Sequence, residues 1–281
     1  MLYTKRGEQK MKVTVCLDNQ TTIDIYYLGE PGVSYWLEAD GKQFLFDAGY
    51  SDAYLKNIDA MGFSLNEMDG LILSHGHNDH TGGLPFLLEA MEARQAPLNI
   101  IAHPNVFMER LEDGLAIGSP LTEDEMRKKA QLKLSKEPEW LTENLVFLGE
   151  IPRVMPFESN HPIGEVLIDG AREPDYILDD SAVAYQTPEG VYIVTGCSHA
   201  GICNIVEYAK KVTGKERVLG ILGGFHLFEL DERTSQTIDY LVQEDIPELY
   251  PCHCTGFYVR SALHQKSPVG DVGVGLVLDW D

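Results

Sequence analysis

The chain has 281 residues, 44 of them acidic and 22 basic, for a formal charge of −22. That sign excludes an extended nucleic-acid groove, which needs a basic field to release counterions, and it disfavours docking on anionic lipid. With 44% hydrophobic and 23% charged residues the composition is that of an ordinary globular protein, not a disordered one, and the length supplies ample material for a buried core.

Residues 1–10 read as a loose polar extension, and 11–281 as a single domain. Residues 12–17, 34–39 and 43–47 read as strands, the last two joined by a turn at Asp40-Gly41. Residues 52–61 form a helix with Ala53, Leu55, Ile58 and Met61 on its apolar stripe. A short buried strand follows at 69–74. Next come a helix at 84–94 and a strand at 98–102.

Residues 104–144 change character. They are charged and weakly apolar, and they read as an inserted helical segment on the rim: a solvated helix pair, or a lid or dimer contact that leaves a homo-oligomer open. Strands then recur at 145–148, 165–169, 182–187 and 191–195, with a hairpin turn at Pro188-Glu189-Gly190. Helix 202–212, strand 217–222, helix 233–243, strand 248–251, helix 257–265 and a last strand at 272–278 complete the pattern. This mixture fits a layered protein of helices and sheets.

The chain begins with no apolar stretch long enough for a signal-peptide core, and no window approaches the ~18 apolar residues of a membrane span. The five cysteines, Cys16, Cys197, Cys203, Cys252 and Cys254, are odd in number and sparse. They read as reduced thiols of a cytoplasmic protein, not as a disulfide framework.

The strongest feature is the run Ser74-His75-Gly76-His77-Asn78-Asp79-His80-Thr81-Gly82-Gly83, directly after a buried strand. Imidazole and carboxylate are the donors that suit divalent zinc, iron or manganese. His75 and His77 are two apart, so one turn can aim both at one ion, while the adjacent Asp79 and His80 can turn to a second position. His199, His226 and His253 also follow apolar strands. His103, His161 and His264 stand in loop or helix contexts and read as ordinary surface residues. The glycine turns Gly82-Gly83 and Gly223-Gly224 could let backbone N–H groups approach a phosphate.

His-x-His-x-Asp-His after a buried strand resembles the metallo-β-lactamase superfamily, and the resemblance runs over most of the chain. It implies an α+β fold, the four-layer αβ/βα sandwich, with one or two divalent metal ions at one edge between two sheets. Phe44-Leu45-Phe46-Asp47-Ala48-Gly49 is similar to the family's strand-turn, which makes Asp47 a buttress for a ligand histidine. Glu248-Leu249-Tyr250-Pro251-Cys252-His253-Cys254-Thr255-Gly256 resembles the strand end that closes the family site. The resemblance also implies a bridging aspartate after strand 191–195, where this chain has Gly196-Cys197-Ser198-His199 instead. Asp179-Asp180-Ser181 stands roughly where a Pro-Gly-His-Thr turn is usual.

On these terms His75, His77 and His199 hold a first ion, and Asp79, His80 and His253 a second. Asp47, Asp180 and Cys197 support them, with Cys197 left open between a soft ligand and a small packing residue. Asp79 and His226 are the catalytic candidates: Asp79 for proton transfer, His226 as ligand, substrate contact or general acid. The motifs Thr195–Ile202, Gly223–Leu227 and His253–Gly256 resemble a branch in which some relatives join a dihydropterin to an aminobenzene-ribofuranosyl phosphate. Three functions follow as expectations. The first is metal-dependent hydrolysis of a small anionic metabolite, a phosphoester, lactone or thioester. The second is a transferase of pterin-type cofactor synthesis, with a pyrophosphate leaving group. The third is a non-catalytic ligand sensor. The partner expected is a small molecule, not a nucleic acid or a membrane.

Overall fold

The structure is a computed structural model and describes residues 10–92, 97–158 and 161–280. Two large sheets face each other. The first has seven strands in the order Val277–Trp280, Met11–Leu17, Ser34–Ala39, Lys42–Phe46, Gly70–Ile72, Leu98–Ala102 and Ala130–Leu134. The second has six: Glu248–Pro251, Val218–Gly223, Val191–Thr195, Ala182–Gln186, Leu145–Phe147 and Glu139–Trp140. A small four-stranded sheet, Ala171–Pro174, Glu165–Ile168, Arg110–Glu112 and Leu115–Ala116, stands apart.

Strand alternation builds the layers. Tyr35 and Leu37 point into the core between the sheets, where they meet Phe147, Tyr185 and Val194 from the other side. Trp36, between them in sequence, points outward with Leu45 and packs against helices Ala53–Ala60 and Leu84–Ala90. In the second sheet Tyr192 and Val194 face inward, while Val191 and Ile193 face helices Ile202–Thr213, Glu232–Gln243 and Phe257–His264. Both faces of each central strand are therefore covered, which explains the near-continuous apolar runs in the sequence. The result is the four-layer αβ/βα sandwich of an α+β protein.

Most predicted elements stand within a residue or two of their expected bounds. The Asp40-Gly41 turn has positive φ at both residues, 51° and 78°, as a two-residue hairpin requires. Two expectations are corrected. Segment 104–144 is not a helical insertion: it holds a short 3-10 helix, Pro104–Phe107, and one short α-helix, Glu123–Arg127, and is otherwise strand and turn. Asp113-Gly114, both at positive φ, makes a hairpin, and Ala130–Leu134 alternates so that Leu132 and Leu134 pack inward beside Leu98–Ala102. The high charge is that of strands with one wet face. The last strand is Val277–Trp280 rather than 272–278. Residues 1–9 of the expected extension, and 93–94 of the helix expected at 84–94, lie outside the described residues.

No helix of the described residues is long and apolar enough to cross a membrane. None of the five cysteines is in a disulfide.

Candidate metal centre

The site is built from strand-end loops of both sheets. Four of those loops turn on a non-glycine residue in the left-handed region: Asp47 at φ 60°, Ser198 at 58°, His226 at 47° and His253 at 50°. Such residues cost of the order of 1–3 kcal/mol each, and they collect here because each loop must turn sharply back toward one point.

Asp47 organises the His-x-His-x-Asp-His loop. Its Oδ1 accepts from Ser74 N–H at 2.7 Å, and its Oδ2 accepts from Ser74 Oγ at 2.6 Å and from His80 Nδ1 at 2.7 Å. Ser74 Oγ lies 3.0 Å from His75 Nδ1. Both rings are thus anchored through Nδ1, with Nε2 directed away. Gly196 permits this packing, since a Cβ there would lie 2.3 Å from Ser74 Oγ.

Three groups of donor atoms result among the described residues. His75, His77 and His199 form one, with His75 Nε2 3.1 Å from His77 Nδ1. Asp79, His80, Cys197 and His253 form a second, and Cys197 with His199 and His226 a third. In the second group His80 Nε2 lies 3.2 Å from Cys197 Sγ and 3.6 Å from Asp79 Oδ2, and His253 Nε2 lies 3.3 Å from Asp79 Oδ2. Ligands of a tetrahedral zinc, with bonds of ~2.0–2.3 Å, stand ~3.3–3.6 Å apart, so these spacings match. Buried ring nitrogens of His77, His199, His226 and His253 have no hydrogen-bond partner. Orphaned buried nitrogens on residues of these donor groups fit divalent ions.

Charge is arranged to match. Burial, reinforced by neighbouring imidazoles, holds His75 and His199 well below the usual histidine range, and burial brings His77 to about 3. Burial also opposes charge on His80, but Asp79 and Asp47 outweigh it and raise its pKa to about 9. Burial opposes ionisation of Asp79, and His80 and His253 overcome it, holding that carboxyl below its usual range.

The remaining predicted residues fall as follows. Asp180 is buried, its pKa pushed up to about 7 by burial, and its Oδ2 accepts from Ala200 N–H at 2.9 Å beside His199. Cys197 is brought within ligand reach of Asp79, His80 and His253, and also of His199 and His226. The His226 ring lies against His199, tilted by 55° with 4.3 Å between ring centroids. The amides of Gly82, Gly83 and Gly224 already donate to Asn78, Gly49 and Gly196 carbonyls, so these three are not free to meet a phosphate. His103 is not a surface residue: it is buried, accepts from Asn105 N–H and meets Glu150 at 3.1 Å. His161 and His264 are exposed, as expected.

Sequence reasoning missed four supporting residues. Asp18 accepts from His253 N–H at 3.1 Å, and Asn19 Oδ1 lies 2.8 Å from His253 Nδ1. Asp179 accepts from Gly76 N–H at 2.8 Å and from Arg110, which also reaches Asp175 at 2.7 Å. Gly76 has no room for a side chain, since a Cβ would meet Val106 O at 2.1 Å. No local signal marked these contacts, although the Asp179-Asp180 pair was noticed.

A pocket of about 740 Å³ opens over the donor groups. Tyr50, Ile117, Ile163 and Phe228 form apolar and aromatic walls, and among the described residues no Lys or Arg lines it.

The sequence matches the family model of the metallo-β-lactamase superfamily over residues 28–208. The chain belongs to this superfamily. It is 32% identical over 241 residues to the uncharacterised Methanocaldococcus jannaschii protein MJ0448, covering 85% of this chain and 89% of that one. It is 33% identical over 255 residues to the 7,8-dihydropterin-6-methyl-4-(beta-D-ribofuranosyl)-aminobenzene-5'-phosphate synthase of the same organism, covering 85% and 86%. Among solved structures it resembles Tm1679, described as a metal-dependent hydrolase of the β-lactamase superfamily, with TM-score 0.81, 25% identity, and 95% and 98% of the two chains covered. Superfamily membership and the donor groups are both consistent with a metal centre at this place in the fold.

Proposed function

We propose that the protein is a metal-dependent enzyme that hydrolyses a phosphoester, lactone or thioester bond of a small anionic metabolite. The observation that carries this reading is the convergence of unpartnered buried imidazoles on the floor of a pocket sized for a small molecule. His75, His77 and His199 would hold one ion, and Asp79, His80 and His253 a second. Zinc suits this imidazole-rich set best, ahead of iron or manganese. A divalent ion supplies a Lewis acid that lowers the pKa of water and polarises a substrate oxygen.

The chain's own groups do the rest. His75, His77 and His199 are neutral at pH 7, so their ring nitrogens are free to ligate. The Asp79 carboxylate lines the pocket, is ionised, and can take a proton from water or pass one to the leaving group. His226, beside His199, meets the negative charge that develops on the substrate. With no Lys or Arg in the lining and a charge of −22, a long polyanion has nothing to hold it, whereas a small anion meets the local positive spot of the ions. Free thiols support a cytoplasmic location.

Similarity to the dihydropterin synthase favours a second reading. Tyr50 and Phe228 suit a flat bicyclic ring, and the same donor groups would serve a reaction in which pyrophosphate leaves. The deciding experiment loads purified protein with zinc and compares it with His77→Ala. Turnover of a phosphodiester, lactone or thioester panel by the parent alone supports hydrolysis. Pyrophosphate release only from a dihydropterin pyrophosphate with its aminobenzene acceptor selects the transferase. Equal activity in metal-free parent and variant overturns both. Ligand binding without turnover on any substrate points to a sensor.

A further inference from the structure

We propose that Arg233 and the cavity beside it form an anion subsite, behind His226, that holds a terminal phosphate monoester of the substrate. This deepens the proposed function: it rests on that reading for the place of the reacting bond, but not for the subsite itself. A cavity of about 280 Å³, with Glu229, Asp231 and Arg233 in its lining, adjoins the main pocket. The two share His226 and Phe228. Complete ligand sites enclose ~300–1,000 Å³, so the smaller space is an annexe of the larger pocket and not a separate site. The main pocket lacks a cation among its described lining residues, and the annexe supplies one.

The guanidinium is placed but not neutralised. Arg233 stands in the first turn of helix Glu232–Gln243 and is half-buried. Its Nη2 donates to the His226 carbonyl at 3.3 Å, which fixes it beside the left-handed turn at His226. Its Nε is buried without a hydrogen-bond partner, and among the described residues the group has no ion-pair partner. The carboxylates around it are engaged elsewhere or face solvent. Asp231 caps the helix, accepting from Thr234 N–H at 2.7 Å. Glu158 accepts from Cys203 N–H at 3.1 Å and from Asn204 N–H at 3.3 Å. Glu229 and Glu232 are exposed. A half-buried guanidinium gains from an anion that offsets its lost hydration, and its planar fork matches the oxygens of a phosphate two at a time. Phe228 meets the His226 ring edge-on, with 4.8 Å between centroids. An apolar or aromatic linker lying on Phe228 would join the phosphate to a bond over the metal donors.

Isothermal titration with phenyl phosphate and with phenol tests this, in zinc-loaded and in metal-free protein. Removing the ions removes the competing place for a phosphate. Phenyl phosphate is expected to bind the metal-free parent more tightly than phenol does. Arg233→Met should weaken phenyl phosphate ~10–100-fold in metal-free protein and leave phenol unchanged. Arg233→Lys, which keeps the charge without the fork, should recover only part of that loss. Equal weakening of both ligands in Arg233→Met would mean that Arg233 only shapes the His226 turn, and it overturns the inference. So does phenyl phosphate binding that the parent loses with its ions, or that stays unchanged in Arg233→Met. Should Arg233→Met fail to fold, Arg233→Lys decides: a several-fold loss for phenyl phosphate alone is expected, and full parental affinity overturns the subsite. The proposed hydrolysis fails separately, as an absence of turnover by the zinc-loaded parent, because phosphate-dependent binding to metal-free protein does not require it.

Discussion

Asn19 Oδ1 lies 2.8 Å from His253 Nδ1, across 234 residues of sequence. An amide oxygen only accepts, so the Nδ1 proton of His253 is held there and Nε2 is the ring nitrogen turned to Asp79, 3.3 Å away. The partner sets both tautomer and ring angle, as ligand histidines generally require.

Asn19→Ala therefore should weaken the second metal position by ~10–100-fold and leave the first unchanged. Competition with a chromophoric chelator measures both affinities in one titration. An equal loss at both positions would mean that Asn19 acts on the fold and not on His253.

Asp47 satisfies three buried donors, Ser74 N–H, Ser74 Oγ and His80 Nδ1. Asp47→Ala leaves them without their acceptor, at ~1–3 kcal/mol for each group that finds no substitute. Urea denaturation of the metal-free protein should show a loss of several kcal/mol, and the variant should bind metal weakly.

His80 makes the metal-free protein sensitive to pH. Its folded pKa is raised from 6.5 to about 9, so the stabilisation is complete below pH 6.5 and is lost as the pH rises through about 9. The expected fall is on the order of 3 kcal/mol. Thermal midpoints measured across that window should decline in the metal-free parent and decline much less in His80→Gln. The same proton must leave when an ion binds, so affinity at the second position should drop as the solution is acidified.

Arg110 ties the small sheet to the metal loop. It is buried between Asp175 and Asp179, and Asp179 in turn holds Gly76 N–H. Arg110→Met strands two buried carboxylates, and the expected loss is ~3–5 kcal/mol in denaturant unfolding. Adding Asp179→Asn should recover part of it, because the amide still accepts from Gly76 without carrying a charge.

Much of this centre was legible because it is local. His75, His77, Asp79 and His80 fall within one turn after a buried strand, so spacing alone brings their donors together. Strands such as Met11–Leu17 and Val191–Thr195, and helices such as Ile202–Thr213, follow from apolar periodicity, which backbone geometry imposes over a few residues. The segment 104–144 misled because charge and helix propensity are weak guides beside a neighbouring strand: Ala130–Leu134 became sheet by pairing with Leu98–Ala102.

By itself, then, the sequence determined most strands and helices outside 104–144 and the histidine-rich turn, since each is set by contacts between near neighbours. Only the tertiary structure decided which distant residues complete the site. The partners of His253 and Gly76 come from 234 and 103 positions away, and the Cys197 thiol reaches His80 across 117. Those meetings depend on how two sheets pack and where four left-handed strand ends turn, and no short-range pattern encodes that.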